Sequence, residues 1–230
     1  MPSLARDVQS IQVMKRITGI IAAAALAFSV CMPMQARSKT LDEFITKVSS
    51  SLVSFDYSFV CQVNGTKMTG EGSALLQDDC FKVEGNGLDI RCDGKTRWTL
   101  DTFAEEAVIE SVDQNSEEGF AVNPALIVTT VDKAFNEISS GTSKFGGVVV
   151  DVSVLAPQKK GKSSSDIARM KLYFKKGTQS LSGAEVTLND GTVSTFTLKN
   201  FRFSDKLKEK EPFRLDEKTL DSEYVVTDLR

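Results

Sequence analysis

Serine is plentiful in this chain and histidine is absent. Without histidine the Ser-His-acid relay cannot be assembled, and the commonest general base and neutral metal ligand are both missing. A Ser-Lys pairing is open by composition, yet no Ser-x-x-Lys sits where it would be supported. Asp113-x-Asn115-x-Glu117 resembles the opening of a calcium loop. Its glycine falls at 119 rather than at the sixth position, and the twelfth position, where a bidentate glutamate belongs, is Pro124. The segment reads as a solvated acidic loop. Asn64-Gly65-Thr66 matches a glycosylation sequon but is better explained as a hairpin turn. Lys159-Lys160-x-Lys162 reads as a solvated hairpin loop, and no glycine spacing would cradle a phosphate. The expected class is a non-enzyme without metal, nucleotide or other cofactor.

Bulk properties narrow this further. The 230 residues are 41% hydrophobic and 26% charged, a globular composition. With 28 Lys and Arg against 31 Asp and Glu there is no basic excess to release counterions from a nucleic acid. Lys15-Arg16, the apolar run from Ile17 to Val30 and Met34-Gln35-Ala36 have the order of a signal peptide. Residues 1–36 are therefore read as an N-terminal extension plus cleaved leader, and 37–230 as one exported, periplasmic domain. Anchoring as a lipoprotein at Cys31 is disfavoured, because Phe28-Ser29-Val30 is a poor lipobox. Three cysteines then remain: Cys61, Cys80 and Cys92. A tight Asn86-Gly87 turn sets Phe81 opposite Cys92 and Val83 opposite Ile90, so Cys80 points to the other side. No structural disulfide is expected.

The elements that would position an interior are legible from periodicity. Leu41, Phe44, Ile45, Val48 and Leu52 form one helical stripe over 40–52, with Thr40 and Glu43 as a capping box. The period then changes to two at Phe55, Tyr57, Phe59, Cys61 and Val63, and short strands follow near 67–77, 80–84, 88–92, 96–100 and 106–112. Asn123-Pro124 opens a second helix bearing Ile127, Val131, Phe135 and Ile138, and 139–147 closes that insert. Strands near 147–156, 167–174, 181–188 and 192–203 come next, then a Phe213 fragment and a last strand at Tyr224-Val225-Val226. About ten strands joined by short turns predict a mainly β fold, an antiparallel meander curling toward a barrel.

Asp93-Gly94-Lys95-Thr96-Arg97-Trp98-Thr99-Leu100 resembles the outer-membrane lipoprotein carrier (LolA-like) family. The order of the other motifs is similar too: the N-terminal helix, Phe55-x-Tyr57-x-Phe59, Gly70-x-Gly72-Ser73-Ala74-Leu75 and Cys80-Phe81-Lys82-Val83. The acidic stretch before Asn123-Pro124 and the ending Tyr224-Val225-Val226-Thr227-Asp228-Leu229-Arg230 resemble the Bacteroidetes branch. The resemblance implies an open, incomplete antiparallel β-barrel, a curved sheet with a helical lid over an apolar concave face. It implies a monomer that carries lipoprotein acyl chains, with inner-membrane release machinery and an outer-membrane acceptor as partners. One departure stands out. Enterobacterial members place an Arg-Pro pair between the second and third strands, tied to lid closure, where this chain has Gln77-Asp78-Asp79.

Alternation assigns Tyr57, Phe59, Met68, Phe81, Ile90, Trp98, Val150, Val152, Met170, Leu172, Phe174, Val186, Phe196 and Leu198 to the inward face, with Ile127, Val131 and Phe135 on the lid. Such a face is ordinarily just core. The family resemblance is what makes it a binding cavity. Two other readings share the fold: a carrier of a different lipid, and a sensory or regulatory lipid-binding protein.

Overall fold

The computed structural model describes residues 37–63, 65–112, 123–158 and 166–230. The leader with Cys31, Asn64, the acidic loop at 113–117 and the lysines at 159–162 lie outside the described residues. The described residues form one compact unit.

The first helix, α1 (Lys39–Ser50), is capped two residues earlier than the Thr40 box predicts. Ser38 is its N-cap, the hydroxyl accepting from the Leu41 N–H at 3.4 Å. Leu41 and Phe44 are its buried residues, and Leu52 already opens a strand. Six strands follow: β1 (Leu52–Val63), β2 (Thr66–Gln77), β3 (Cys80–Gly85), β4 (Leu88–Cys92), β5 (Thr96–Asp101) and β6 (Glu106–Ser111). Then come α2 (Pro124–Ala134), β7 (Phe135–Phe145), β8 (Val148–Pro157), β9 (Ile167–Lys175), β10 (Leu181–Leu188) and β11 (Val193–Ser204). Two 3-10 turns, Glu211–Phe213 and Glu217–Thr219, lead to β12 (Val225–Asp228).

The strands form one sheet of twelve in the order β12-β6-β5-β4-β3-β2-β1-β11-β10-β9-β8-β7. It is two antiparallel meanders joined where β1 pairs with β11, with β12 added in parallel to β6. The sheet is not closed: β12 and β7 are its edges. The chain leaves β6 on one side, and α2 precedes its re-entry at the far edge. The mainly β, open-sheet expectation with helical cover holds.

The β3–β4 register is Phe81↔Cys92 and Val83↔Ile90 across Asn86-Gly87, both at positive φ. Cys61, Cys80 and Cys92 are free and buried. The closing segment 139–147 is a correction. The second helix ends at Ala134, Phe135 is its extended C-cap, and 135–145 is the edge strand β7. Its residues are almost all exposed apart from Phe135, so an apolar alternation never marks it. Edge strands carry polar side chains for this reason. Phe213 likewise lies in a 3-10 turn rather than a strand, fully buried.

Candidate functional site

Directly paired residues in an antiparallel sheet share a face, so the registers trace the inner face across β1–β4 and β9–β11. Phe59 pairs with Phe196 and Tyr57 with Leu198. Ala184 pairs with both Phe196 and Leu172, and Val186 with Met170. On the other side Leu76 pairs with Val53 and Phe81, and Phe81 with Cys92. Rings interlock along this face: Phe59 on Phe196 at 5.8 Å, Phe55 on Phe201 at 5.4 Å, and Phe44 of α1 against Phe174 at 5.2 Å. Gly70, opposite Phe59, lets the Phe59 ring lie across β2, since a Cβ there would collide with that ring. Burial raises the Tyr57 hydroxyl pKa and pushes the Cys92 thiol up to about 11.

Both helices cover this face. Asn123 caps α2 by accepting from the Ala125 N–H at 2.9 Å, and Pro124 occupies its first turn. Ala125, Ile127, Val128 and Val131 are buried. One core therefore unites Tyr57, Phe59, Phe81, Met170, Leu172, Phe174, Val186, Phe196 and Leu198 with Ile127, Val131 and Phe135, and Ile90 packs against it. Phe135 contributes from β7, not from the helix.

Four expected inward residues lie elsewhere. Met68 shares the face of Cys61 but is 48% exposed. Trp98 is opposite Arg91, on the face away from Ile90 and Cys92. There it packs with Leu100, Ala107 and Ile109 under Leu215, Leu220 and Tyr224, and its indole N–H donates to Glu217 at 3.0 Å. The inner face at β5 and β6 instead carries Arg97 and Glu110, an ion pair at 2.9 Å. Val150 and Val152 pair with Lys175 and Tyr173, on the face opposite Phe174, while Ser153 and Leu155 face the core. The apolar phase inverts on both strands, and a purely local alternation reads the wrong face as inward. Counting register across the Asp93-Gly94 turn, Cys92 to Arg97, would have placed Trp98 correctly. Leu41, Phe44, Val53, Phe55, Leu76, Ala184 and Phe201 also belong to the core and had not been assigned to the site.

Between α1 and α2 a cleft of about 220 Å³ opens above this core. Its walls are Ile45, Val48 and Val128, the first two packed against the core and the third part of it. Asp78, Asp79, Asp132 and Lys133 form its rim. Arg37 pairs with Asp132 at 2.6 Å, and Lys133 pairs with Asp79 of the β2–β3 turn. The Ser38 hydroxyl donates to Glu137 at 2.9 Å, which ties the start of α1 to β7. Two larger depressions on the opposite face are lined by Asp56, Ser73, Lys82, Glu84 and Arg202 and their polar neighbours. They are ordinary solvated sheet surface. No cluster among the described residues would hold a metal ion.

No family model matches the chain and no curated protein matches it. Solved structures do. A conserved protein from Thermus thermophilus is similar at 11% identity and a TM-score of 0.49, over 83% of this chain and 99% of that one. A Vibrio parahaemolyticus domain described under outer-membrane lipoprotein sorting is similar at 11% identity and 0.42, over 75% and 94%. A third, from Nitrosomonas europaea, is similar at 11% and 0.43, over 78% and 99%. That protein belongs to the LolA superfamily.

Proposed function

We propose that this chain is a non-enzymatic periplasmic carrier that shields the acyl chains of lipoproteins between its sheet and its two helices, for transfer toward the outer membrane. The supporting observation is the cleft between α1 and α2, whose apolar walls run without interruption into the core. Its volume falls below the about 300–1,000 Å³ of ordinary ligand pockets. A long chain therefore enters only as the helices move off the sheet and surrender Ile127, Val131 and their contacts. The exchange is favourable in principle. Each CH₂ taken from water contributes about 0.8 kcal/mol, and the flexible Met170 side chain adapts to a variable guest. The carrier works as a monomer, without a cofactor. Its partners are the cargo, a release complex in the inner membrane and an acceptor at the outer membrane.

Mass spectrometry of what co-purifies with the protein, followed by titration with a diacylated peptide, tests this. Saturable binding of the acylated peptide with no binding of its unacylated form is expected. Co-purification of free lipid alone, with no peptide binding, would assign the cavity to another lipid. Binding of neither would leave the apolar face as plain core.

A further inference from the structure

The β7–β8 hairpin ends in Lys144-Phe145-Gly146-Gly147-Val148-Val149. Gly146 and Gly147 both take positive φ, 57° and 81°, the geometry of a tight two-residue turn. The last β8–β9 pair is Val150 with Lys175, so the hairpin runs on past its neighbouring strand. Nothing lies within 4 Å of where a Cβ on Gly146 or Gly147 would sit, so the tip stands clear of the molecule. Val148 and Val149 are 59% and 52% exposed there. Neither valine belongs to a buried cluster.

The tip is braced and basic. Phe145 stacks on Tyr173 with ring centres 4.5 Å apart and planes at 18°. Lys176 donates to Thr142 at 3.0 Å and pairs with Asp151 at 2.5 Å. Lys144 lies opposite Val149 and Lys175 opposite Val150, and both are exposed. Lys144 and Lys175 thus flank the valines, with Lys176 held beside them by Asp151. A second exposed apolar tip makes the contrast plain. Phe103, 83% exposed in the β5–β6 turn, is flanked in sequence by Asp101, Glu105 and Glu106.

We propose that the β7–β8 tip is a contact site for an anionic lipid bilayer, with Val148 and Val149 entering the interface and Lys144, Lys175 and Lys176 meeting the headgroup charge. Charge complementarity selects this occupant. Each lysine close to an anionic surface raises partition about fivefold. Two valines add too little apolar area to hold the protein permanently, so the contact is reversible and lost at high salt. The hairpin's role is independent of what the interior holds.

Flotation of the full chain with phosphatidylcholine vesicles, with and without phosphatidylglycerol, tests it. Binding to the phosphatidylglycerol vesicles alone is expected. The double change Lys144→Glu with Lys175→Glu should weaken it at least tenfold, and Val148→Ser with Val149→Ser severalfold. Phe103→Ser should leave it unchanged. All changed positions are exposed, and the variants share every other segment, so differences among them report the hairpin. No flotation of the unchanged chain, or equal flotation of it and both double variants, would overturn the site. Loss with the lysine changes but not with the valine changes would overturn insertion.

Discussion

At the scale of single residues, Phe59 and its neighbour Ser58 separate the inner face from the outer. Phe59 is buried against Phe196 and over Gly70, while Ser58 points to the opposite face. Phe59→Glu places a carboxylate in an apolar interior, at a cost of several kcal/mol unless it takes up a proton. Ser58→Glu sits opposite Glu71 on the outer face and should cost no more than about 1 kcal/mol, from like-charge pairing. If the interior holds acyl chains, the first change abolishes acyl-peptide binding and the second leaves it intact in the same titration. Cys92 gives a residue-scale prediction with a pH sign. Its thiol titrates at about 11 in the fold against 9.0 for an ordinary thiol, chiefly through burial. Above the ordinary value the unfolded chain loses its proton first, so stability should fall as pH rises from 9 toward 11. Denaturant melts across that window should show the decline, and Cys92→Ala should flatten this part of it while costing some stability at neutral pH.

At the scale of elements, the strands facing the main core were legible where alternation keeps one phase, over β1, β3 and the stretches 170–174, 184–186 and 194–198; register shifts then bring Ile167, Leu181 and Phe201 into the same core out of phase, which alternation does not show. The fold class followed from their number and from turns such as Asn86-Gly87. The edge strand β7 was not legible, since an exposed strand needs no alternation. Trp98 was misplaced for a different reason. Its strand alternates correctly, but the C-terminal tail makes a second apolar layer on the far side, and local periodicity cannot say which of two layers a strand serves. The tail is held by paired polar contacts. Gln77 and the Leu207 backbone exchange hydrogen bonds at 2.7 and 3.1 Å, Lys206 pairs with Asp78 at 2.6 Å, and Arg214 pairs with Asp93 at 3.2 Å. Trp98 fluorescence should therefore report tail docking rather than interior binding. Removing residues 221–230 deletes β12 and uncovers Trp98 from Tyr224, so its emission should shift to the red. Glu217→Gln keeps the cover, changes the indole's hydrogen-bond acceptor and loses the ion pair with Arg230, so a much smaller shift is expected. An emission maximum unmoved by the truncation would mean that the 3-10 turns alone shield the indole.

At the scale of the whole molecule, the open sheet and the two helices enclose one core filled by its own side chains. In the strand meanders the main-chain hydrogen bonds of each strand are met by its neighbours. The helix α2 is joined to the sheet mainly by side chains, the buried Ile127, Val128 and Val131 and the Lys133–Asp79 pair, and to the segment before α1 by the Arg37–Asp132 pair. Exposed pairs of this kind contribute about 0–1 kcal/mol each. The apolar stripe contributes more, and an acyl chain occupying the same space replaces that contribution in kind. Opening α2 therefore costs less than opening any interior strand, and the free protein should visit that state through local unfolding. Hydrogen exchange measures it directly. Amides of α2 should exchange faster than those of β1 and β11 in the free protein. Addition of a diacylated peptide should slow exchange in 124–134 and leave 52–63 unchanged, because bound chains hold the helix over a filled interior. The unacylated peptide should change neither segment. Equal protection of α2 and β1 before and after lipid would make the helix a fixed part of the core, and the carrier reading would lose the motion on which it depends.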